Sequence, residues 1–261
     1  MVTYTSSITL TLGEQSENHV GMVKQGNGIA ESGYKYDELL SFKKKFSQIG
    51  CKVTLYCLND ILQDSDSDDI EQAYILIIRK GVDKILEGTN ITADSIFIEQ
   101  NNLAWDKKYY DTRRKKVLNK SARYNLCYGD EHIDPDYINK QGTVIAYDEI
   151  PKTTKFKKRM EKLLKIEQLE MEGNNYYDIN KCGIGYHGDS ERKKVIGCRF
   201  GASSKLVYRW FYKAKQISNN IEFMLNSGDI YIMSEKASGY DWKKRNIHTL
   251  RHAAGCDKYI K

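Results

Sequence analysis

In Ser7-Ile8-Thr9-Leu10-Thr11-Leu12 every second side chain is aliphatic, the period of a half-buried strand. Tyr36 to Ile49 carries its apolar residues at helical spacing instead, and Lys52 to Leu58 returns to a β-rich composition. Ala73 to Ile78 is a continuous apolar run of strand length. Together these predict a small α/β unit that ends near residue 95. Between its first strand and first helix, Gly13 to Met22 (GEQSENHVGM) concentrates Glu14, Glu17, Asn18 and His19 in a loop. Loops of that kind often carry binding residues, but a polar turn or helix start is the plainer reading. The acidic stretch at 64–69 lacks the glycine and terminal glutamate of a calcium loop and reads as a solvated turn.

Thr153 to Met171 is rich in Lys, Glu and Leu, with Phe156, Met160, Leu163 and Leu164 on one stripe, which predicts an amphipathic supporting helix. Beyond it the chain reads as strand after strand: Tyr176 to Asn180, the segment around His187, Lys194 to Phe200, Leu206 to Phe211, Gly228 to Met233, and Asn246 to His252. Short turns between them point to an antiparallel sheet pair or barrel, and a jelly roll fits the count. The expected class is α+β, with a small α/β domain over residues 1–95 and a β domain over 96–261.

Composition narrows the setting. The 261 residues carry 41 Lys+Arg against 35 Asp+Glu, a formal charge of +6, so a polyanionic partner is permitted but not required. The six cysteines show no C-x-x-C spacing and the chain opens on no basic-then-apolar leader, so reduced thiols in an intracellular protein of cytoplasm or nucleus are expected. The longest apolar run, Ala73 to Ile78, is far below the roughly 20 residues a spanning helix needs, which predicts a soluble chain without membrane contact. From Asp106 onward the charge gathers: Lys107, Lys108, Arg113, Arg114, Lys115, Lys116, Lys120 and Arg123 interleave with Trp105, Tyr109, Tyr110 and Tyr124. Cations grip phosphates and aromatics stack on bases, so the Trp105 to Tyr128 segment is a candidate nucleic-acid surface, with a solvated lysine-rich face as the bland alternative.

The chemistry-bearing stretch is YHGDSER, Tyr186 to Arg192. His187 and Asp189 stand two apart, on the same face of a strand, and could grip one metal ion if a third ligand comes from elsewhere. Paired with each other and satisfied inside a barrel, they could equally be structural.

In order, NNYYDIN, YHGDSER, GCRFGASSKLVYRW, SGDIYIMS and RNIHTLRHAAG resemble the AlkB-type branch of the Fe(II)/2-oxoglutarate dioxygenases over roughly residues 104–255. CYGDEHIDPDY followed by IPKTTKFKKRMEKLL is similar to that family's substrate lid and buttress helix. The resemblance implies a double-stranded β-helix, with His187 and Asp189 as the first two iron ligands and catalytic residues. It further implies that Asn180, Arg245 and Arg251 contact 2-oxoglutarate, guanidinium forks suiting its carboxylates. Glu191 would face the base or its surroundings, alongside Trp105, Tyr128, Arg113 and Arg114 as substrate-binding residues.

The family's second histidine has no match in GYDWKKRN, where Trp242-Lys243-Lys244 stands in its place. Candidates for a substitute are His252, His248 and Asp241, and His252 completes the nominated set. Strand parity puts His248 and His252 opposite Arg245, so a bulge is needed if the arginines and His252 are to share a face. The expected activity is Fe(II)- and 2-oxoglutarate-dependent demethylation or hydroxylation of a modified nucleobase in DNA or RNA. The alternative is a nucleic-acid-binding module of the same fold that has lost its metal; a protein hydroxylase is a third reading.

Overall fold

The structure is a computed structural model that describes residues 4–62 and 70–261; the acidic stretch at 64–69 lies outside them. The first half contains β1 (Ser7–Gly13), β2 (Ser16–Glu17), β3 (Lys24–Gln25), α1 (Tyr36–Gln48), β4 (Lys52–Cys57), β5 (Tyr74–Arg79), α2 (Gly81–Ile85) and α3 (Ala93–Asn101). Next come β6 (Lys108–Asp111), β7 (Lys116–Asn119), β8 (Tyr124–Gly129), β9 (Val144–Ala146) and α4 (Pro151–Leu164). The last part holds β10 (Glu170–Tyr176), β11 (Gly183–His187), β12 (Val195–Gly201), β13 (Ser204–Tyr212), β14 (Lys215–Gln216) and β15 (Ile221–Leu225). It closes with β16 (Ile230–Met233), α5 (Glu235–Ser238), β17 (Thr249–Gly255) and α6 (Asp257–Ile260).

The protein is mixed α/β and mostly sheet. An eight-stranded sheet runs β4-β5-β16-β12-β1-β10-β8-β9, and a five-stranded sheet runs β11-β17-β13-β14 with β15 also paired to β13. Side-chain alternation splits the larger sheet's surroundings into two apolar clusters. Ile8, Leu10, Leu12, Leu76 and Ile78 join α1, α3 and α4 through Phe46, Ile96 and Phe156, whereas Ile75, Ile77, Tyr231 and Met233 join Tyr208, Trp210 and Leu250 of the smaller sheet. Helices therefore cover one face of the large sheet and the small sheet covers the other.

The boundary expected at residue 95 does not separate two sheets. β1 lies between β10 and β12, and β5 pairs with β16, so strands from both ends of the chain share one ladder. The helix expected over 153–171 stops at Leu164, where Lys165 takes a left-handed conformation (φ 62°). Met171 sits at a spacing that fits a helical stripe as well as a strand, and its pairing with Tyr128 in β8 decides for the strand. The strand expected at 176–180 accordingly lies earlier, at Glu170–Tyr176. No helix among the described residues is long and apolar enough to cross a membrane, and all six cysteines are free thiols.

Candidate metal centre

His187 is the last residue of β11 and sits opposite His252 of β17, past an irregularity in the pairing that follows Ile184. β17 is also paired with β13, where Tyr208 stands opposite His252. The chain then leaves the sheet through Gly188, whose α-carbon presses against the backbone of Gly239, and the N–H of Asp189 donates to the Ser238 carbonyl at 2.9 Å. This crossing returns the Asp189 carboxylate to the two imidazoles. Its Oδ1 lies 3.9 Å from His187 Nε2 and 3.7 Å from His252 Nε2, and one ligand atom from each of the three residues falls within 4.8 Å of the others.

The tautomer of His187 follows from its neighbour. Nδ1 lies 2.8 Å from the Gly185 carbonyl, which only accepts, so Nδ1 carries the proton and Nε2 is left with a lone pair turned to the cluster. Two imidazoles and one carboxylate with an open side form the donor set of non-haem Fe(II) oxygenases, and these side chains fit such an ion. Burial, the nearby His252 and Arg123 pull the His187 imidazole down to about 3, so it is neutral and ready to ligate at physiological pH. Burial pushes the Asp189 carboxyl up, but the adjacent His252 imidazole, the buried Arg192 guanidinium and His187 together outweigh it and hold Asp189 below the usual carboxylate range.

The cluster opens into a cavity of about 410 Å³ between the two sheets. Its other walls are polar for an interior: Thr9 and Thr11 from β1, Glu172 and Asn174 from β10, and Arg199 from β12. Arg192 is fully buried behind them and pairs with Glu172 and, at 3.0 Å, with Glu191. Burial first, and then the charges of Asp189 and Glu172 against the counter-pull of Arg192, raise the Glu191 carboxyl to about 7. An unfolded glutamate titrates near 4.5, so between there and pH 7 the folded metal-free protein binds more protons than the unfolded chain, and its stability falls as pH rises through that window. Glu191→Gln removes this slope. It is expected to match the parent at pH 5 and to exceed it by roughly 2 kcal/mol at pH 8 in denaturant unfolding; equal differences at both pH values would refute the assignment.

No protein-family model matches the chain. Over 255 residues, 98% of this chain and 98% of the other, it is 42% identical to the "Uncharacterized protein R156" of Acanthamoeba polyphaga mimivirus. The chain belongs to that protein's family. Members alike over nearly their whole length share the fold, so the cavity is a feature to seek in the mimivirus protein too.

Of the residues nominated from the sequence, His187, Asp189 and His252 come together, and Glu191 lines the same cavity. The cosubstrate set does not. Arg245 is exposed in the segment before β17, outside any strand. Arg251 lies on β17 one residue from His252 and so faces the other way, with its guanidinium 4.2 Å from the Phe211 ring and 5.4 Å from that of Trp242. Parity therefore holds, and it is the histidine that takes the inner face. Asn180 sits in a turn with its N–H bonded to Asp178, beside Cys256 and Lys258 and off the cavity wall.

Trp105 and Tyr128 are buried on the helical side of the large sheet. The Trp105 indole donates to the Gln100 carbonyl at 2.9 Å and the Tyr128 hydroxyl donates to the Gln100 side chain, so neither is free to stack on a base. Arg113 and Arg114 are exposed at the tip of the β6–β7 hairpin, their backbone N–H groups held by Asp111. His248 stacks on Tyr212, and Asp241 is paired with Lys236 at 2.7 Å, which accounts for the two rejected candidates. In the loop of β2 and β3, Asn18 donates to Asp106 at 2.6 Å and accepts from Lys120 at 2.7 Å, while Val20 reaches the cavity mouth.

The residues missed from the sequence are those of the inner wall: Thr9, Thr11, Glu172, Asn174 and Arg199. The alternation of β1 was legible, but its serine and threonines read as a wet face. The available signal was that CRFG and the β1 repeat both alternate polar with apolar residues in a chain rich in strands, which leaves more polar strand faces than one sheet edge can expose.

Proposed function

We propose that the protein is an Fe(II)- and 2-oxoglutarate-dependent dioxygenase of the AlkB-like kind, built on a double-stranded β-helix. The observation that carries this reading is the convergence of His187, Asp189 and His252 at the floor of a cavity between two sheets. The strand order agrees with the fold. From β10, leaving aside the two-residue β14 that pairs with the end of β13, successive strands fall in the large sheet (β10), the small (β11), the large (β12), the small (β13, then β15), the large (β16) and the small (β17). An eight-stranded jelly roll needs one more strand in the large sheet, between its first and third. β1 occupies that place, paired to β10 on one side and β12 on the other.

Iron with 2-oxoglutarate and O₂ supplies the hydroxylation of a C–H bond, and on an N-methyl group the hydroxylated carbon then leaves as formaldehyde. The chain's own part would be to hold the ion by the His187 and His252 imidazoles and the Asp189 carboxylate, beside a cavity that could admit small ligands. The Gly185 carbonyl keeps the His187 ring in the ligating tautomer. The test is anaerobic Fe(II) titration with and without 2-oxoglutarate. A visible charge-transfer band that appears only when both are present is the expected result, and no band at saturating concentrations of both would overturn the reading.

A modified nucleobase in DNA or RNA is the substrate class we favour. The β6–β7 hairpin beside the cavity presents Lys108, Arg113, Arg114, Lys115 and Lys116 to solvent, and His19 stacks on its Tyr109 with ring centroids 3.9 Å apart. Neutralising those five cations is expected to weaken binding of a single-stranded oligonucleotide and to flatten its dependence on salt, since each phosphate contact contributes somewhat under one unit to the logarithmic slope. An unchanged slope would mark the hairpin as a merely solvated face and return the protein-hydroxylase reading.

A further inference from the structure

Arg199 is an unusual residue to find at the centre of a sheet. It is 1% exposed, and among the described residues no carboxylate lies within ion-pair distance of its guanidinium. Its Nη1 donates to Ser7 Oγ at 3.0 Å and its plane lies 5.5 Å from the Tyr176 ring, but its Nε–H has no acceptor. Thr9, its partner across the β1–β12 ladder, is buried as well and its hydroxyl is also without a partner. Both side chains line the cavity that holds the three metal-ligating residues.

A buried guanidinium without a counter-charge is strongly unfavourable, so such a group persists where a ligand supplies the missing anion. The other cations near the cavity are placed differently. Arg192 is already paired through Nη2 with Glu172 and Glu191, Arg123 donates its Nε–H to Asn174 at 2.7 Å, and Lys243 is exposed to solvent with its Nζ 3.5 Å from Ser190 Oγ. With one buried guanidinium whose Nε–H is unpaired and one buried hydroxyl without a partner beside it, the subsite matches a single carboxylate.

We infer that Arg199, steadied by Ser7 and joined by Thr9 of the N-terminal strand, binds the distal carboxylate of a small dicarboxylic 2-oxo acid whose other end lies at the His187–Asp189–His252 centre. This rests on the oxygenase reading and relocates its cosubstrate anchor: Arg245 and Arg251, which the sequence offered for that role, are on other surfaces. The anchor comes instead from β12, next to the N-terminal strand that fills the jelly roll's last place. A cavity of about 410 Å³ is of the size that encloses a five-carbon diacid and leaves its mouth free for a substrate.

Two measurements test it, using Arg199→Met and Arg199→Lys in the full chain. With Co(II) in place of Fe(II), the parent is expected to bind 2-oxoglutarate at least about 30-fold more tightly than 2-oxobutyrate, which keeps the 2-oxo acid end and lacks the second carboxylate. Arg199→Met is expected to lose that preference while retaining Co(II) and 2-oxobutyrate affinity within about threefold. The metal-free Arg199→Met protein is further expected to melt no lower than the parent, because an unpaired buried charge has been replaced by an apolar side chain of similar length. Retention of the preference in Arg199→Met, or an equal loss for both acids, would overturn the assignment.

Should the parent bind no Co(II), the oxygenase reading fails on its own. The subsite is then judged on the metal-free protein by succinate, whose binding must be lost in Arg199→Met for the anion site to stand, and whose failure to bind the parent would remove the site altogether.

Discussion

His252→Ala is expected to abolish metal binding at the cavity, lowering Co(II) or Fe(II) affinity by well over about 100-fold, the upper end of what the loss of a mere supporting partner of a ligand costs. His252 closes the set that His187 and Asp189 begin, its Nε2 lying 3.7 Å from the shared carboxylate oxygen. Two protein ligands cannot hold a divalent ion against water with comparable strength. His248→Ala is the matching control, since that ring is stacked on Tyr212 and takes no part in the cluster. Calorimetric titration with Co(II) reads both. Equal affinities for the parent and His252→Ala would exclude His252 as a ligand and revive the metal-free binding module, in which the two histidines and Asp189 only pack a barrel.

Gly188→Ala is expected to destabilise the protein by about 3 kcal/mol or more. A β-carbon at Gly188 would overlap the carbonyl oxygen of Gly239, and Gly239 cannot yield: its φ is +69°, and its own β-carbon position is 2.7 Å from the Leu250 carbonyl. Two backbones are thus in contact where the chain turns from His187 to Asp189, and separating them pulls the carboxylate away from both rings. Gly185→Ala, two residues earlier, has only the Tyr259 carbonyl at 3.9 Å and is expected to be nearly neutral. Denaturant unfolding of both variants gives the comparison. A Gly188→Ala protein as stable as Gly185→Ala would show that the two backbones part easily and that the crossing does not fix Asp189.

Both expectations separate what a one-dimensional pattern can say from what it cannot. The H-x-D pair was readable because its logic is local: two residues apart on extended backbone share a face, and the turn through Gly188 preserves that relation by packing on Gly239. The third ligand was not, although parity already required that Arg251 and His252 face opposite ways. Which of the two looks inward depends on β17 pairing with β11 and β13, partners about 65 and 45 residues earlier in the chain, and no local signal sets that register.

The sequence by itself determined the positions of β1, α1, β4, β5, β12, β13 and β16, the apolar stripe of α4 that packs on the large sheet, and the presence of a histidine and an aspartate able to share one ion. Those follow from periods of 2 and 3.6, which are properties of neighbouring residues. Only the tertiary structure decided that β1 is a central strand and not part of a separate N-terminal unit, and that its threonines face a cavity. It alone put His252 and Arg199 on that cavity while turning Arg245 and Arg251 away. The reason is that alternation distinguishes two faces of a strand without saying what lies against each one. A polar face looks the same in sequence whether it meets bulk water or an enclosed site, and only the pairing of distant strands, with the burial it creates, tells them apart.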